Sequence, residues 1–200
     1  MRLLRRSVAA VVVLGTLLAG MVGWSAPASA TLINVAYWVK ATTTLAKLNQ
    51  TVNVPMGSFH GYVNLNQSTL TGNLYLPPAS TTVDLAGIGL ATATFKLAQA
   101  KPVAGNLDLT SGTVTATSVF NVLVTSVEPL GLPVNLVGNS CGTSTPVSVT
   151  FTGPISFSGS SSFSGTYTIP PLQNCGALTP ALNLLIPGPG NVFNARFSPA

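Results

Sequence analysis

The chain reads as an all-β domain, an antiparallel β-sandwich with a closed barrel as the alternative, and three observations lead there. Apolar and polar residues alternate with a period of two over most of its length. Turn residues recur at short intervals, with 19 glycines and 15 prolines in 200 residues. One hairpin-like pattern occurs twice: F-H-G-Y-V-N-L (59–65) with T-L-T-G-N-L-Y-L-P-P (69–78), and F-T-G-P-I-S-F (151–157) with S-F-S-G-T-Y-T-I-P-P (162–171). The pattern predicts a duplicated β-hairpin with one apolar and one polar face, covering a core on one side.

Residues 1–30 read as an export signal. Arg2, Arg5 and Arg6 form a basic start, Ser7 to Trp24 an apolar stretch, and Ala28-Ser29-Ala30 a small-residue cleavage pattern with the cut expected between Ala30 and Thr31. The apolar run is short for a retained anchor, and no second run of about 18 apolar residues follows. Residues 31–200 are then expected to form a single secreted domain, outside the cell or associated with the cell wall.

Loss of the three signal arginines lowers the formal net charge from +5 to +2. Only Lys40, Lys47, Lys96, Lys101, Arg196, Asp84, Asp108 and Glu128 stay charged. That is about 5% of the residues, against about 25% in ordinary domains. So small a charge gives no footing for nucleic-acid binding, and solubility must rest on hydroxyls and amides. Cys141 and Cys175, in an exported chain, are expected to form one disulfide around the second hairpin.

In chain order, Thr31–Val39 and Thr42–Val54 are strand-like and precede the first hairpin, whose expected loop at 66–69 sets Val63 opposite Gly72 and Gly61 opposite Leu74. Pro77-Pro78 ends it. Thr81–Leu85, a turn carrying Gly87 and Gly89, Leu90–Ala98, Val103–Leu109 and Thr113–Val127 follow as separate strands, the last apolar on both faces from Val119 onward. Leu132–Val137 reads as a short strand. The second hairpin, with its loop at 158–162, sets Ile155 opposite Gly165 and Gly153 opposite Tyr167. Thr179 reads as a helix N-cap with Pro180 at the first helical position, giving one short C-terminal helix over Ala181–Ile186. Val192–Phe197 closes the chain as a strand.

Candidates for chemistry are few. His60, the only histidine, falls on the polar face of the first hairpin, where a general base would need an acid beside it. Asp84, Asp108 and Glu128 lie in separate elements, so a glycosidase pair is not legible. There is no G-x-S-x-G elbow, no clustered metal ligands, and Gly87-Ile88-Gly89 lacks the lysine and helix of a phosphate loop. No catalytic, cofactor or metal residue is assigned.

The stretches Gly57–Leu65, Leu70–Pro78, Phe163–Pro171, N-C-G-A-L-T-P (174–180) and I-P-G-P-G-N (186–191) together resemble small exported actinobacterial proteins of unknown function. The resemblance implies a compact β-fold with one disulfide, in the envelope or outside the cell, and supplies no substrate or cofactor. The expected function is that of a non-enzymatic binding or envelope-associated β-domain. Its alternatives are an apolar-ligand carrier, with Phe95, Phe120 and Leu123 lining a cavity, and a hydrolase using His60 and an acid.

Overall fold

The computed structural model describes residues 31–85 and 88–200; the stretch 1–30 read above as an export signal, with Ala30 of the expected cleavage pair, and Gly87 lie outside them. Eleven strands form one antiparallel sheet: β1 (Leu32–Leu45), β2 (Gln50–Asn64), β3 (Thr69–Tyr75), β4 (Ala79–Leu85), β5 (Gly89–Asp108), β6 (Thr113–Pro129), β7 (Gly142–Thr143), β8 (Val147–Pro154), β9 (Ser161–Ile169), β10 (Leu172–Gln173) and β11 (Gly188–Pro199). One helix, α1 (Thr179–Leu185), follows a 3-10 turn at Gly176–Leu178. The sheet closes on itself. The ring runs β1-β2-β3-β5-β6-β8-β9-β11, and β11 returns to β1 through eight register pairs from Tyr37↔Pro199 to Thr44↔Val192. The fold is therefore an eight-stranded closed barrel in up-and-down order, the alternative rather than the sandwich.

Three staves of the barrel are interrupted. β3 and β4 pair with consecutive stretches of the same edge of β5 (Gly72↔Val103, then Ala79↔Phe95), so they are one line broken at Pro77-Pro78. β7 and β8 likewise share an edge of β6, and β10 continues β9 beyond Pro170-Pro171, pairing with β7. Proline donates no ladder hydrogen bond. Each proline pair therefore breaks a stave without ending it, contrary to the sequence reading. The two hairpins occupy staves two–three and six–seven of the eight, on opposite sides of the bore.

β5 is one strand of 20 residues where two were expected. Register shifts surround Lys101 and Pro102, and the Gln99 side chain bridges the gap. Its Oε1 accepts from the Leu74 amide at 2.9 Å, and its Nε2 donates to the Lys101 carbonyl at 2.9 Å. Leu132–Val137 is not a strand. Asn135 instead satisfies the flank of β6, accepting from Val127 N and Val137 N and donating to the Thr125 carbonyl. The helix starts one residue early: Thr179 is its first residue and Leu178, not Thr179, its cap, while the Thr179 hydroxyl donates to the Gly176 carbonyl. Val119, Asn121 and Leu123 on β6 are half-buried, partly because β7 covers Leu123.

Hairpin registers also differ from expectation. In the first, Gly61 faces Gly72 and Val63 faces Leu70. The loop is 65–68, set by Asn64 Oδ1 accepting from the amides of Asn66 and Gln67 and by Ser68 at φ 53°. The Phe59 ring fills the space over the two glycines; a Cβ on Gly72 would lie 2.5 Å from its Cζ. In the second, Thr152 pairs with Ser164, which puts Phe151 across from Gly165 and Gly153 across from Phe163. The two hairpins thus differ in register.

Alternation sends one side chain in two into the bore. Glycines 61, 72 and 105 with Ala116 thin one wall, and Phe151, Phe163 and Phe197 project from the other. Phe163 and Phe59 meet Phe197 edge-on at 5.2 and 5.8 Å. At mid-height Tyr167 donates or accepts at 2.6 Å with Thr43, while burial pushes its phenol pKa up. A second cluster, Val83, Leu85, Val127, Leu182 and both cysteines, caps one end beneath α1. Cys141 and Cys175 are bonded, with Cα atoms 4.3 Å apart.

Candidate functional site

The bore leaves little room. A cavity of about 50 Å³ lies among Tyr37, Phe59, Phe163 and Phe197, and another of about 30 Å³ among Phe95, Val124 and Ile186. Ligand pockets run to roughly 300–1,000 Å³. Among the described residues every buried side-chain polar atom has a hydrogen-bond partner, so none is left aimed at a ligand. Of the three side chains expected to line a cavity, Phe95 does so and Phe120 is packed in the core against Tyr167. Leu123 points outward against Gly142.

His60 stands exposed on the outer wall, with Ala36 and Asn73 as its cross-strand neighbours. No acid adjoins it. Asp108 lies six residues beyond Pro102 along β5, about 20 Å at 3.3 Å per residue, and Asp84 and Glu128 sit at the opposite end of the barrel. Asp108 shapes the β5–β6 turn. The Ser111 hydroxyl, then the amides of Thr110 and Ser111, hold its carboxyl below the usual aspartate range. A carboxylate with a lowered folded-state pKa stabilises fully above the unfolded value, about 4, and loses that contribution as pH falls through the folded value. Asp108→Ala should therefore lower the thermal midpoint slightly at pH 6, and the gap from wild type should close in a melting series as pH falls below the ordinary aspartate range.

The outer wall carries polar rows in register. Hydroxyls pair across strands at Thr44–Thr51 (2.9 Å), Thr117–Thr150 (3.0 Å) and Ser160–Ser198 (3.1 Å). One region departs from this neutral carpet. On β1, Trp38 and Lys40 point outward; Trp38 is 52% exposed. Lys40 stands directly opposite Arg196 on β11, which in turn faces Ser162 on β9. One step along, Asn53, Thr42, Asn194 and Ser164 form the next row. The β1–β2 register shifts at this point, so that Pro55 and Met56 together oppose Lys40 in a bulge. A shallow groove of about 560 Å³ runs over Lys40, Thr42, Asn53, Met56, Asn194 and Arg196, with Trp38 outside its lining.

Two like charges directly across an antiparallel pair repel, and the three carboxylates stand toward the barrel ends rather than beside them. Here the fold sets two cations side by side, one outward position along β1 from an exposed aromatic ring. Nothing local in the chain foreshadows it, because the two cations come from opposite ends of the domain. Comparison with protein-family models, with curated proteins and with solved structures finds no match to this chain.

Proposed function

We propose that residues 31–200 form an exported, non-catalytic barrel, built from two copies of a four-stave unit, that binds a cell-envelope component through its outer wall. The observation that carries this reading is the filled bore: cavities of about 50 and 30 Å³ leave the outer wall as the broad surface offered to a partner. They are too small for an acyl chain, which counts against the apolar carrier. The separation of His60 from every carboxylate counts against the hydrolase.

Export is supported by the signal-like residues 1–30 and by a disulfide, a bond that persists in oxidising compartments. No helix among the described residues is long and apolar enough to cross a membrane. The outward positions of the barrel are mainly Thr, Ser and Asn, whereas a lipid-facing barrel wall is apolar. The matching proline breaks after Leu76 and Ile169, four staves apart, support the duplication. Purified residues 31–200 should co-sediment saturably with washed bacterial cell envelopes and stay in the supernatant without them. Protein that remains soluble at every envelope concentration would contradict the reading.

A further inference from the structure

We propose that the Trp38–Lys40–Arg196 strip of the outer wall is a binding site for an acidic glycan, a chain of pyranose rings bearing carboxylate or phosphate. The inference rests on the envelope-binding reading and specifies its ligand. The first argument is electrostatic. The fold places two of the five cations of residues 31–200 directly opposite one another, an arrangement that an anion between them turns from repulsive to attractive. Arginine offers a planar fork matched to carboxylate or phosphate, and lysine a movable point charge beside it.

The second argument is the surroundings. Asn53, Asn194, Thr42, Ser162 and Ser164 present amides and hydroxyls suited to sugar hydroxyls. Trp38, one outward position from Lys40 on the same strand, offers an exposed ring on which the apolar face of a pyranose can stack. The bulge at Pro55 and Met56 interrupts the β1–β2 ladder at the level of the cations. A single cation pair suits isolated charges spaced along a glycan better than a nucleic acid, which carries a charge every ~1.7 Å of duplex axis.

Titration calorimetry on residues 31–200 at low ionic strength tests this with polygalacturonate (carboxylate on each ring) and a phosphomannan (phosphate on the sugar). Binding to either is expected, and which one binds identifies the anion. Fully methyl-esterified polygalacturonate, which keeps the rings without the charge, and poly-glutamate, which keeps the charge without the rings, should each bind about tenfold more weakly or less. Lys40→Gln with Arg196→Gln should weaken glycan binding by about tenfold or more, and Trp38→Ala severalfold, both with unchanged circular dichroism. Arg196→Glu should abolish binding while raising the melting temperature, because it replaces a repelling pair by an attracting one.

Several results would overturn the proposal: no binding to either acidic glycan, equal binding to the ester or to poly-glutamate, tighter binding to single-stranded DNA, or a Lys40→Gln/Arg196→Gln protein of undiminished affinity. Envelope co-sedimentation that survives in that double variant would leave the broader reading standing and remove this site from it.

Discussion

Phe193→Ala is expected to lower the unfolding free energy by about 3–5 kcal/mol, the cost of deleting a large ring from a core that cannot collapse around the gap. Phe193 is 1% exposed, lies 5.4 Å from the Phe151 ring, and stands between Thr43 on β1 and Gly165 on β9. It therefore packs at the level where the closing strand meets both neighbours. Urea denaturation followed by tryptophan fluorescence measures the loss, since Trp38 is the only tryptophan of residues 31–200. Phe157→Ala is the control. At 47% exposure it should cost under about 1 kcal/mol. Equal effects would mean that the bore is not the core.

Removing the disulfide is the second large effect, and it should be confined to one end. The bond closes a stretch with a sequence separation of 34, worth roughly 3–4 kcal/mol in the chain-entropy description. Both cysteines belong to the cluster that packs α1 against β4, β5 and β6, apart from the aromatic bore. Cys141→Ala with Cys175→Ala should thus lower the melting temperature and raise amide exchange first over β7, β10 and α1. Staves such as β1 and β2 should keep their protection. Uniform loss of protection would show that cap and bore unfold as a unit.

Much of this architecture was written locally. Period-two alternation gave most of the strands, paired prolines marked two of the three stave breaks, and two glycine-bearing hairpins formed, with loops at 65–68 and 155–160 in place of 66–69 and 158–162. Two cysteines in a chain with a signal-like start pointed to the observed bond. What escaped was non-local or depended on single side chains. A one-sided strand looks the same in a sandwich and in a barrel, because both bury one face; only the β1–β11 ladder, joining the two ends of the domain, separates them. Register escaped because the first turn is set by Asn64 capping two amides and by Ser68 in the left-handed region, which moved the loop by one residue and each pairing by two. Continuity of β5 across Pro102 depended on Gln99 supplying bonds that periodicity does not encode. The Lys40–Arg196 pair is a product of closure and shares its invisibility.

Closure is accordingly the claim on which the filled bore, the outer-wall reading and the cation pair all depend. Nuclear Overhauser contacts between the backbone protons of residues 37–44 and 192–199 test it most directly. The barrel predicts an antiparallel series running through Trp38 with Ser198, Lys40 with Arg196 and Thr42 with Asn194. Absence of the whole series, with β1 and β11 exchanging their outer amides as free sheet edges, would contradict it.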